Sequence, residues 1–215
     1  MRVLFTGFEP FGNYKENSSW AVAEKVAACG VVGAEVIARR LPVSFAGVAK
    51  ALRDAVEECN PDVVVMLGQS ANIDYVKLER IAINMMDSAL ADNDGCTADE
   101  EPISMDGVAA LFTNVDVKQL CKTLIKENIN AKVSNSAGLF VCNRLYYEAL
   151  LMCKENPGMK ALFVHLPLYE GQSSAENEKP CMPLDDMVKA IQIITRKIYD
   201  TSTKFQETAC AHFRQ

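Results

Sequence analysis

The stretch that decides the fold is "AKVSNSAGLFVCNRLYYEALLMCKENPGMKALFVHLPL", residues 131–168. It begins and ends with β-prone runs, "AKVSNS" and "ALFVHLPL", which predict strands. The segment between them, "NRLYYEALLMCKEN", has an amphipathic pattern that closes at Asn-Pro-Gly and predicts a helix. Strand, helix and strand therefore follow one another, with Cys142 at or near the first turn of the helix.

The rest of the chain repeats this order. Short apolar runs that end in glycine or polar residues predict further strands, and segments with apolar residues at helical spacing predict helices between them. Ser18 or Ser19 is suited to cap the first helix and Gly30 to end it. The predicted strands are "RVLFTGF", "AEVIARRLPV", "DVVVMLGQ" and "YVKLERIAIN", and the predicted helices are "WAVAEKVAAC", "AGVAKALRDAVEECN", "DVKQLCKTLIKEN" and "PLDDMVKAIQIITRKIYD".

Residues 85–115 interrupt the alternation because they carry little periodicity. They predict a long loop excursion with one short strand around "GVAALFT", and loops of this length are usually functional or disordered. Elsewhere the order of elements predicts an α/β fold, a three-layer α/β/α sandwich with a mixed, largely parallel sheet. We expect a single domain over residues 1–200 and a polar C-terminal tail, residues 201–215, that frays.

Length, charge and cysteine content limit the function classes. The chain has 215 residues, enough for one sizeable core, and its net charge of −6 with no Lys/Arg stripe argues against nucleic-acid binding. No run approaches the ~18 apolar residues of a membrane span, and "MRVLFTGF" is too short for a signal peptide. None of the eight cysteines is spaced as C-x-x-C, so a reducing cytoplasm is the simplest compartment.

Cys142 has two interpretations. Most cysteines are structural thiols, as Cys153 in the middle of the same predicted helix is expected to be. At the start of a helix, however, unpaired backbone N–H groups and the helix dipole favour a thiolate and lower its pKa. The residues alone leave both interpretations open.

A cysteine nucleophile needs an imidazole partner, and histidine is scarce in this chain. The two histidines are His165, which ends the strand "ALFVHL", and His212 in the C-terminal tail. His165 is therefore the candidate base, with a buried structural histidine as the alternative. Glu79 in "LERIAIN" is the candidate that orients the imidazole, and a partner for Arg80 or a solvent-facing charge is its alternative.

The opening segment "TGFEPFG" follows the first predicted strand. It is not a phosphate-binding loop, because Gly12 is followed by Asn13 and not by the lysine of G-x-x-x-x-G-K-[ST]. Phe8 and Phe11 would make a good wall for a small flat ligand, and they would equally well fold back onto the core.

These motifs, in this order, resemble the pyroglutamyl peptidase I family of cysteine peptidases, also called pyrrolidone-carboxylate peptidases. The resemblance spans Met1 to about Tyr199 and rests on "LFTGFEPFG", "ENSSW", "VVVMLGQ", "ERIAIN", "DN", "SAGLFVCN" and "FVHLP". It implies a cytoplasmic cysteine exopeptidase that hydrolyses the amide bond after an N-terminal pyroglutamyl residue of peptides. It also implies a homotetramer or dimer.

The resemblance implies a Cys–His–Glu triad, with Cys142 as nucleophile, His165 as base and Glu79 as the orienting acid. It further implies a pocket of apolar rings and two polar side chains, formed by Phe8, Phe11, Phe140, Asn17 and Gln69. We expect neither a cofactor nor a metal, because no Cys/His/Asp cluster has ligand spacing.

Three loops depart from the family pattern. "SANID" follows Gln69 where many members have a Gly-Gly-Arg-like stretch, and "NSSW" replaces "NPSW". In "DSALADN", Ala89 and Ala91 replace the arginine and proline of "DARIPDN", which removes a charge-assisted donor. One alternative is therefore a catalytically weakened homologue that only binds pyroglutamyl or lactam groups. A nucleoside phosphorylase-like transferase is another, although no basic cluster is placed to bind phosphate.

Overall fold

The computed structural model describes residues 1–172 and 179–212, and for 202–212 it describes the helical backbone alone. This part of the chain contains ten strands and five helices. The strands are β1 (Arg2–Phe8), β2 (Glu35–Leu41), β3 (Val63–Gln69), β4 (Val76–Glu79), β5 (Ile81–Ile83), β6 (Met86–Ser88), β7 (Ala98–Glu101), β8 (Ala110–Phe112), β9 (Ala131–Ser134) and β10 (Lys160–Leu166). The helices are α1 (Ser18–Cys29), α2 (Val48–Cys59), α3 (Val117–Lys126), α4 (Val141–Glu155) and α5 (Leu184–His212).

Six strands form the central sheet, in the order β2-β1-β3-β10-β4-β9. The first four are parallel to one another, whereas β4 is antiparallel to β10 and parallel to β9. The predicted mixed, largely parallel sheet is therefore confirmed. Helix α4 connects β9 to β10. These two strands run in opposite directions, because β9 is parallel to β4 and β4 is antiparallel to β10.

Helices cover both faces of this sheet, which gives the predicted three layers. On one face α2 and α4 pack in a cluster that includes Leu52, Leu145 and Phe163. On the other face α1, α3 and α5 pack in a second cluster that includes Val22 and Ile191. Strands buried on both faces explain why β1, β3 and β10 are continuous apolar runs without alternation.

Local signals fix the ends of the helices. Asn17, and not Ser18 or Ser19, is the N-cap of α1, because its side-chain oxygen accepts a hydrogen bond from the Ser19 N–H at 3.1 Å. Gly30 ends α1 at φ 74°, as predicted. Helix α4 begins at Val141, so Cys142 is its second residue.

Two predictions about the middle of the chain were wrong. "YVKLERIAIN" is not one strand, since β4 ends at Glu79 and β5 belongs to a separate two-stranded sheet with β8. The excursion over residues 85–115 contains β6, β7 and β8, not one short strand. Strands β6 and β7 are separated by nine residues, and such short pairs leave no period in the sequence.

Helix α5 extends through His212, into the segment for which the sequence predicts a frayed tail. Residues 213–215 lie outside the described residues, and the fraying stays a prediction. Among the described residues, no helix combines the length and apolar character needed to cross a membrane.

Gly7 allows the end of β1 to lie directly against the first turn of α1. A Cβ atom built on Gly7 would come within 2.6 Å of backbone atoms of Ser19 and Trp20. We predict that Gly7→Ala lowers the free energy of unfolding by about 1–3 kcal/mol, because the helix must move. Urea denaturation measures this change. Gly158→Ala is the matched control, since its Cβ meets only an Asn156 side-chain oxygen at 3.4 Å, and equal effects of the two changes would contradict the prediction.

Candidate active site

The structure brings His165 and Glu79 together through the pairing of two antiparallel strands. Glu79 on β4 lies opposite Phe163 on β10, and His165 is two residues further along on the same face. The His165 Nδ1 and Glu79 Oε1 atoms are 2.8 Å apart. His165 is buried and Glu79 is fully buried. The proposed alternatives for Glu79, an exposed charge or a partner for Arg80, do not fit this position.

This contact fixes the tautomer of the imidazole. Because the carboxylate accepts, the His165 Nδ1–H group donates and Nε2 keeps its lone pair. The ring is held on its sides by Phe163, with the ring centroids 4.8 Å apart, and by Gly68, where an added Cβ would lie 3.0 Å from His165 Cδ2. The His165 ring is thus held in one orientation, and its Nε2 atom has no hydrogen-bond partner among the described residues.

Cys142 lies in the first turn of α4 and lines the aromatic cavity described below. Its side chain is partly exposed. The first N–H groups of a helix have no partner within the helix, so they are available to a charge at this end. Among the described residues, the thiol makes no hydrogen bond to His165, and His165 and Glu79 do not line the cavity. In many enzymes the catalytic contact becomes short only when substrate is bound.

The electrostatic surroundings of Cys142 differ from those the sequence predicts. Burial, and to a smaller extent the negative charge of Glu79, raise the pKa of the Cys142 thiol to about 12. Lys77 and the backbone N–H of Cys142 lower the pKa, but by less. The helix end therefore favours the thiolate, as predicted, but does not by itself outweigh desolvation. A neutral thiol must pass its proton to a base as it reacts.

The cavity beside Cys142 has a volume of about 360 Å³. Aromatic rings form much of its wall: the Phe11 and Phe140 centroids are 5.1 Å apart, and Phe45 packs edge-on against Phe140 at 5.1 Å. Phe8 is buried in the core and Phe11 packs against it, as the second interpretation expects, and both also line the cavity. Their role as a wall for a ligand stays a prediction. The lining residues are Phe8, Phe11, Gly12, Tyr14, Asn17, Val43, Gln69, Ala71, Leu90, Phe140, Val141 and Cys142.

The two predicted polar residues of the pocket differ in availability. Asn17 is occupied by the protein, because its oxygen accepts from Ser19 and its amide donates to the Glu9 carbonyl at 2.9 Å. The Gln69 oxygen accepts from the Ser18 N–H at 2.8 Å and from Gln172 at 2.9 Å. The Gln69 amide nitrogen has no hydrogen-bond acceptor among the described residues. Gln69 therefore retains donors that a ligand in the cavity can use.

The loop that contains Ala89 and Ala91 is anchored by the residues that follow it. Burial alone would raise the pKa of Asp92, but the backbone N–H groups of Phe45, Cys96 and Asp94 donate to its carboxylate at 2.7–2.9 Å and lower it. Asn93 donates to the Glu9 carboxylate at 2.8 Å. These contacts tie the loop to the segments that carry Phe11 and Phe45.

Asn143 fixes the start of α4 against β5. Its side-chain amide donates to the carbonyls of Ile83 and Met85 at 2.8 and 2.9 Å, and its oxygen accepts from the Ile83 N–H at 3.1 Å. The side chain is buried. Cys142, the preceding residue, therefore has a fixed position.

Sequence reasoning missed Lys77, Asn143 and Asp92 as residues that position the site. Asn143 and Asp92 lie inside the quoted motifs "SAGLFVCN" and "DN". The motifs therefore marked both residues, but they did not indicate what either side chain binds. Lys77 carries no such signal, because its contact with Glu79 depends on the local strand conformation. Among the described residues, no group of three or more His, Cys, Asp or Glu side chains is arranged to hold a metal ion.

Comparison with known proteins identifies the relatives of this chain. The family model described as "Pyroglutamyl peptidase" matches residues 1–200. The pyrrolidone-carboxylate peptidase of Thermococcus onnurineus (strain NA1) is 39% identical over 197 residues, which cover 91% of this chain and 98% of the relative. That of Bacillus subtilis (strain 168) is 34% identical over 206 residues, covering 94% and 95%.

Solved structures agree with these matches. The pyrrolidone carboxyl peptidase from Thermococcus litoralis has a TM-score of 0.90 at 32% identity, covering 94% of this chain and 95% of that one. Pyroglutamyl peptidase I from Bacillus amyloliquefaciens has a TM-score of 0.84 at 32% identity, covering 90% and 94%.

We predict that Asn143→Ala lowers the free energy of unfolding by about 2–4 kcal/mol, because two carbonyls and one N–H group of the backbone lose their partner in a buried position. Thermal denaturation measures the change. Asn130→Ala is the control, since Asn130 is exposed and its side chain makes no hydrogen bond among the described residues. A loss for Asn143→Ala no larger than for the control would contradict the prediction.

Proposed function

The chain belongs to the pyroglutamyl peptidase family, and we propose that Cys142, His165 and Glu79 are its nucleophile, base and orienting acid. The protein is a cysteine-type hydrolase that removes N-terminal pyroglutamate from peptides. The observation that carries the assignment of residues is the 2.8 Å contact between buried Glu79 and His165. It lies on the same side of the sheet as α4, whose first turn carries Cys142 at the edge of the cavity.

The first half of the reaction transfers the acyl group to sulfur. The thiol proton of Cys142 passes to His165 Nε2 while the sulfur attacks the pyroglutamyl carbonyl carbon. This coupling matters because burial disfavours a free thiolate at Cys142. Glu79 stabilises the imidazolium that forms and keeps Nδ1 protonated.

The tetrahedral intermediate then collapses to a thioester. We expect the backbone N–H of Cys142, at the start of α4, to stabilise the oxyanion. The C–N bond breaks, and the leaving amine takes the proton from His165 Nε2. In the second half, His165 accepts a proton from water, the resulting hydroxide equivalent attacks the thioester, and pyroglutamic acid leaves as the thiol regains its proton.

The cavity suits the pyroglutamyl ring. Pyroglutamate is a small neutral lactam with a flat face, and the rings of Phe8, Phe11 and Phe140 offer an apolar wall of matching shape. The free amide N–H groups of Gln69 are available to the ring carbonyl. Asn17 contributes by holding the segment that carries Phe8 and Phe11, through its bond to the Glu9 carbonyl.

Three further properties belong to this proposal. The family points to a cytoplasmic protein, which agrees with Cys59 and Cys153 being buried as small apolar residues in the core. It also points to a homotetramer or dimer, for which exposed apolar side chains such as Met105 and Phe112 are available as contact surface. The domain is expected to comprise residues 1–200, the extent of the family match.

We predict that Cys142→Ala lowers kcat/KM for a fluorogenic pyroglutamyl amide by at least about 10⁴-fold, because the nucleophile is lost. Cys153→Ala is the matched control on the same helix and should leave kcat/KM unchanged, since Cys153 is a core thiol. A prolyl amide lacks the ring carbonyl and should be cleaved at least about 10²-fold more slowly than the pyroglutamyl amide. Undiminished cleavage by Cys142→Ala would refute the assigned nucleophile.

We predict that His165→Gln shifts the reaction of Cys142 with iodoacetamide to higher pH. Without an acceptor for its proton the thiol must ionise alone, and burial holds its pKa near 12. Alkylation at pH 8 should therefore fall and should rise again only in strongly alkaline solution. The alkylation rate of Cys142 is the rate of each protein minus the rate of the same protein with Cys142→Ala. This subtraction removes the contribution of the other cysteines. An unchanged pH profile would show that His165 does not take the thiol proton.

A further inference from the structure

Building on the proposed triad, we propose that Lys77 is a positioning residue of the site, whose ammonium group compensates the buried Glu79 carboxylate and holds it toward His165. The Lys77 Nζ and Glu79 Oε1 atoms are 3.1 Å apart. Lys77 precedes Glu79 by two residues on β4, so both side chains lie on one face of the strand. The ammonium group also lies 3.4 Å from the Ser136 carbonyl.

Glu79 needs a cation that is present before the reaction begins. Its carboxylate is fully buried, Oε1 accepts from both His165 and Lys77, and Oε2 has no hydrogen-bond partner among the described residues. A buried carboxylate is costly unless an opposite charge compensates it. Resting His165 must be neutral to act as a base, so it supplies a hydrogen bond without a charge. Lys77 supplies the charge.

Lys77 can keep its own charge in this position. Its side chain is 26% exposed, so the ammonium group remains partly hydrated while its stem reaches inward. The pair is thus asymmetric: the carboxylate is dry and the ammonium group is not. In such a pair the ammonium group holds the Glu79 carboxylate in place, and the carboxylate can still accept the hydrogen bond from the His165 ring.

The other titratable groups around Glu79 do not replace Lys77. On β10 the facing group is His165, and on α4 they are Cys142 and Tyr146, whose hydroxyl donates to the Glu79 carbonyl at 2.9 Å. On β9, Lys132 is in register with Lys77, but its ammonium group lies 4.0 Å from the Tyr75 ring centroid. On α3, the remaining helix that contacts β4, the Cys121 thiol donates to the Ala131 carbonyl. Among these described groups, Lys77 is the one cation in contact with Glu79.

The sign of the effect follows from removing a positive charge. Every nearby group then binds its proton more tightly, since Lys77 favours deprotonated forms. For Cys142 this direction is already visible, because Lys77 lowers the thiol pKa and Glu79 raises it. Loss of Lys77 should therefore move both limbs of the pH profile of kcat/KM to higher pH. An opposite charge at this range shifts a pKa by about one unit, which corresponds to about a tenfold loss of kcat/KM on the acid limb.

The experiment compares the full-length protein with Lys77→Met, which keeps most of the stem, and Lys77→Arg, which keeps the charge. The kcat/KM for a fluorogenic pyroglutamyl amide is measured from acid to alkaline pH, with iodoacetamide alkylation of Cys142 as a readout that does not depend on catalysis. We expect both profiles to move by about one pH unit for Lys77→Met and to return toward wild type for Lys77→Arg. Lys77→Gln replaces Lys77→Met if the latter fails to fold.

Lys132→Met is the matched control, since it removes the same charge from the neighbouring strand without touching Glu79. Its profiles should coincide with wild type. Unmoved limbs in Lys77→Met would overturn the proposal even if its rate fell, because a merely structural role lowers the rate without shifting the profile. A shift in Lys77→Arg as large as in Lys77→Met would overturn it too. If the wild-type protein did not cleave the amide, the proposed function would fail, and the alkylation profiles would still decide the role of Lys77.

Discussion

The site depends on a carboxylate that is kept away from water. Glu79 is fully buried on a short strand that runs antiparallel to its neighbour, and this direction places it diagonally across from His165. A carboxylate in such a place retains its charge only if donors and cations surround it. The Nδ1–H group of His165 and the ammonium group of Lys77 occupy the same oxygen, so tautomer, charge and orientation are linked in one contact. The reversed strand β4 is thus essential to the geometry.

Helix α4 supplies the second part of the site. Its first turn carries Cys142, and the buried amide of Asn143 connects that turn to β5, outside the central sheet. The proposed nucleophile therefore lies where the central sheet meets the excursion that follows Glu79. Burial at this junction disfavours an isolated thiolate, and chemistry at Cys142 requires a proton acceptor. The proposed pairing of the Cys142 sulfur with the His165 imidazole has this physical reason, because Lys77 and the backbone N–H of Cys142 lower the thiol pKa by less than burial raises it.

Two of the three departures expected from the family pattern, at residues 70–74 and 89–91, lie in loops, whereas Ser18 is the first residue of α1. Contacts of the second loop explain how the cavity persists. Asp92 gathers three backbone N–H groups, and Asn93 connects to Glu9, so the segment without the family's arginine and proline is still joined to the aromatic wall. Local hydrogen bonds of a buried carboxylate are strong enough to order a loop. The hydrogen bonds of Asp92 and Asn93 therefore support the aromatic wall that Phe11 and Phe140 form.

The sequence by itself determined the α/β class, the helix positions and the identity of the family, because buried parallel strands and amphipathic helices leave strong periods and the motifs are specific in order. It also named Cys142, His165 and Glu79 as candidates. Only the tertiary structure decided that β4 is reversed, that "YVKLERIAIN" divides at Glu79, and that residues 85–115 form short paired strands. It alone revealed Lys77 beside Glu79 and the raised pKa of Cys142. Strand direction and burial arise from contacts between segments far apart in the chain, and such contacts leave no local pattern in the sequence.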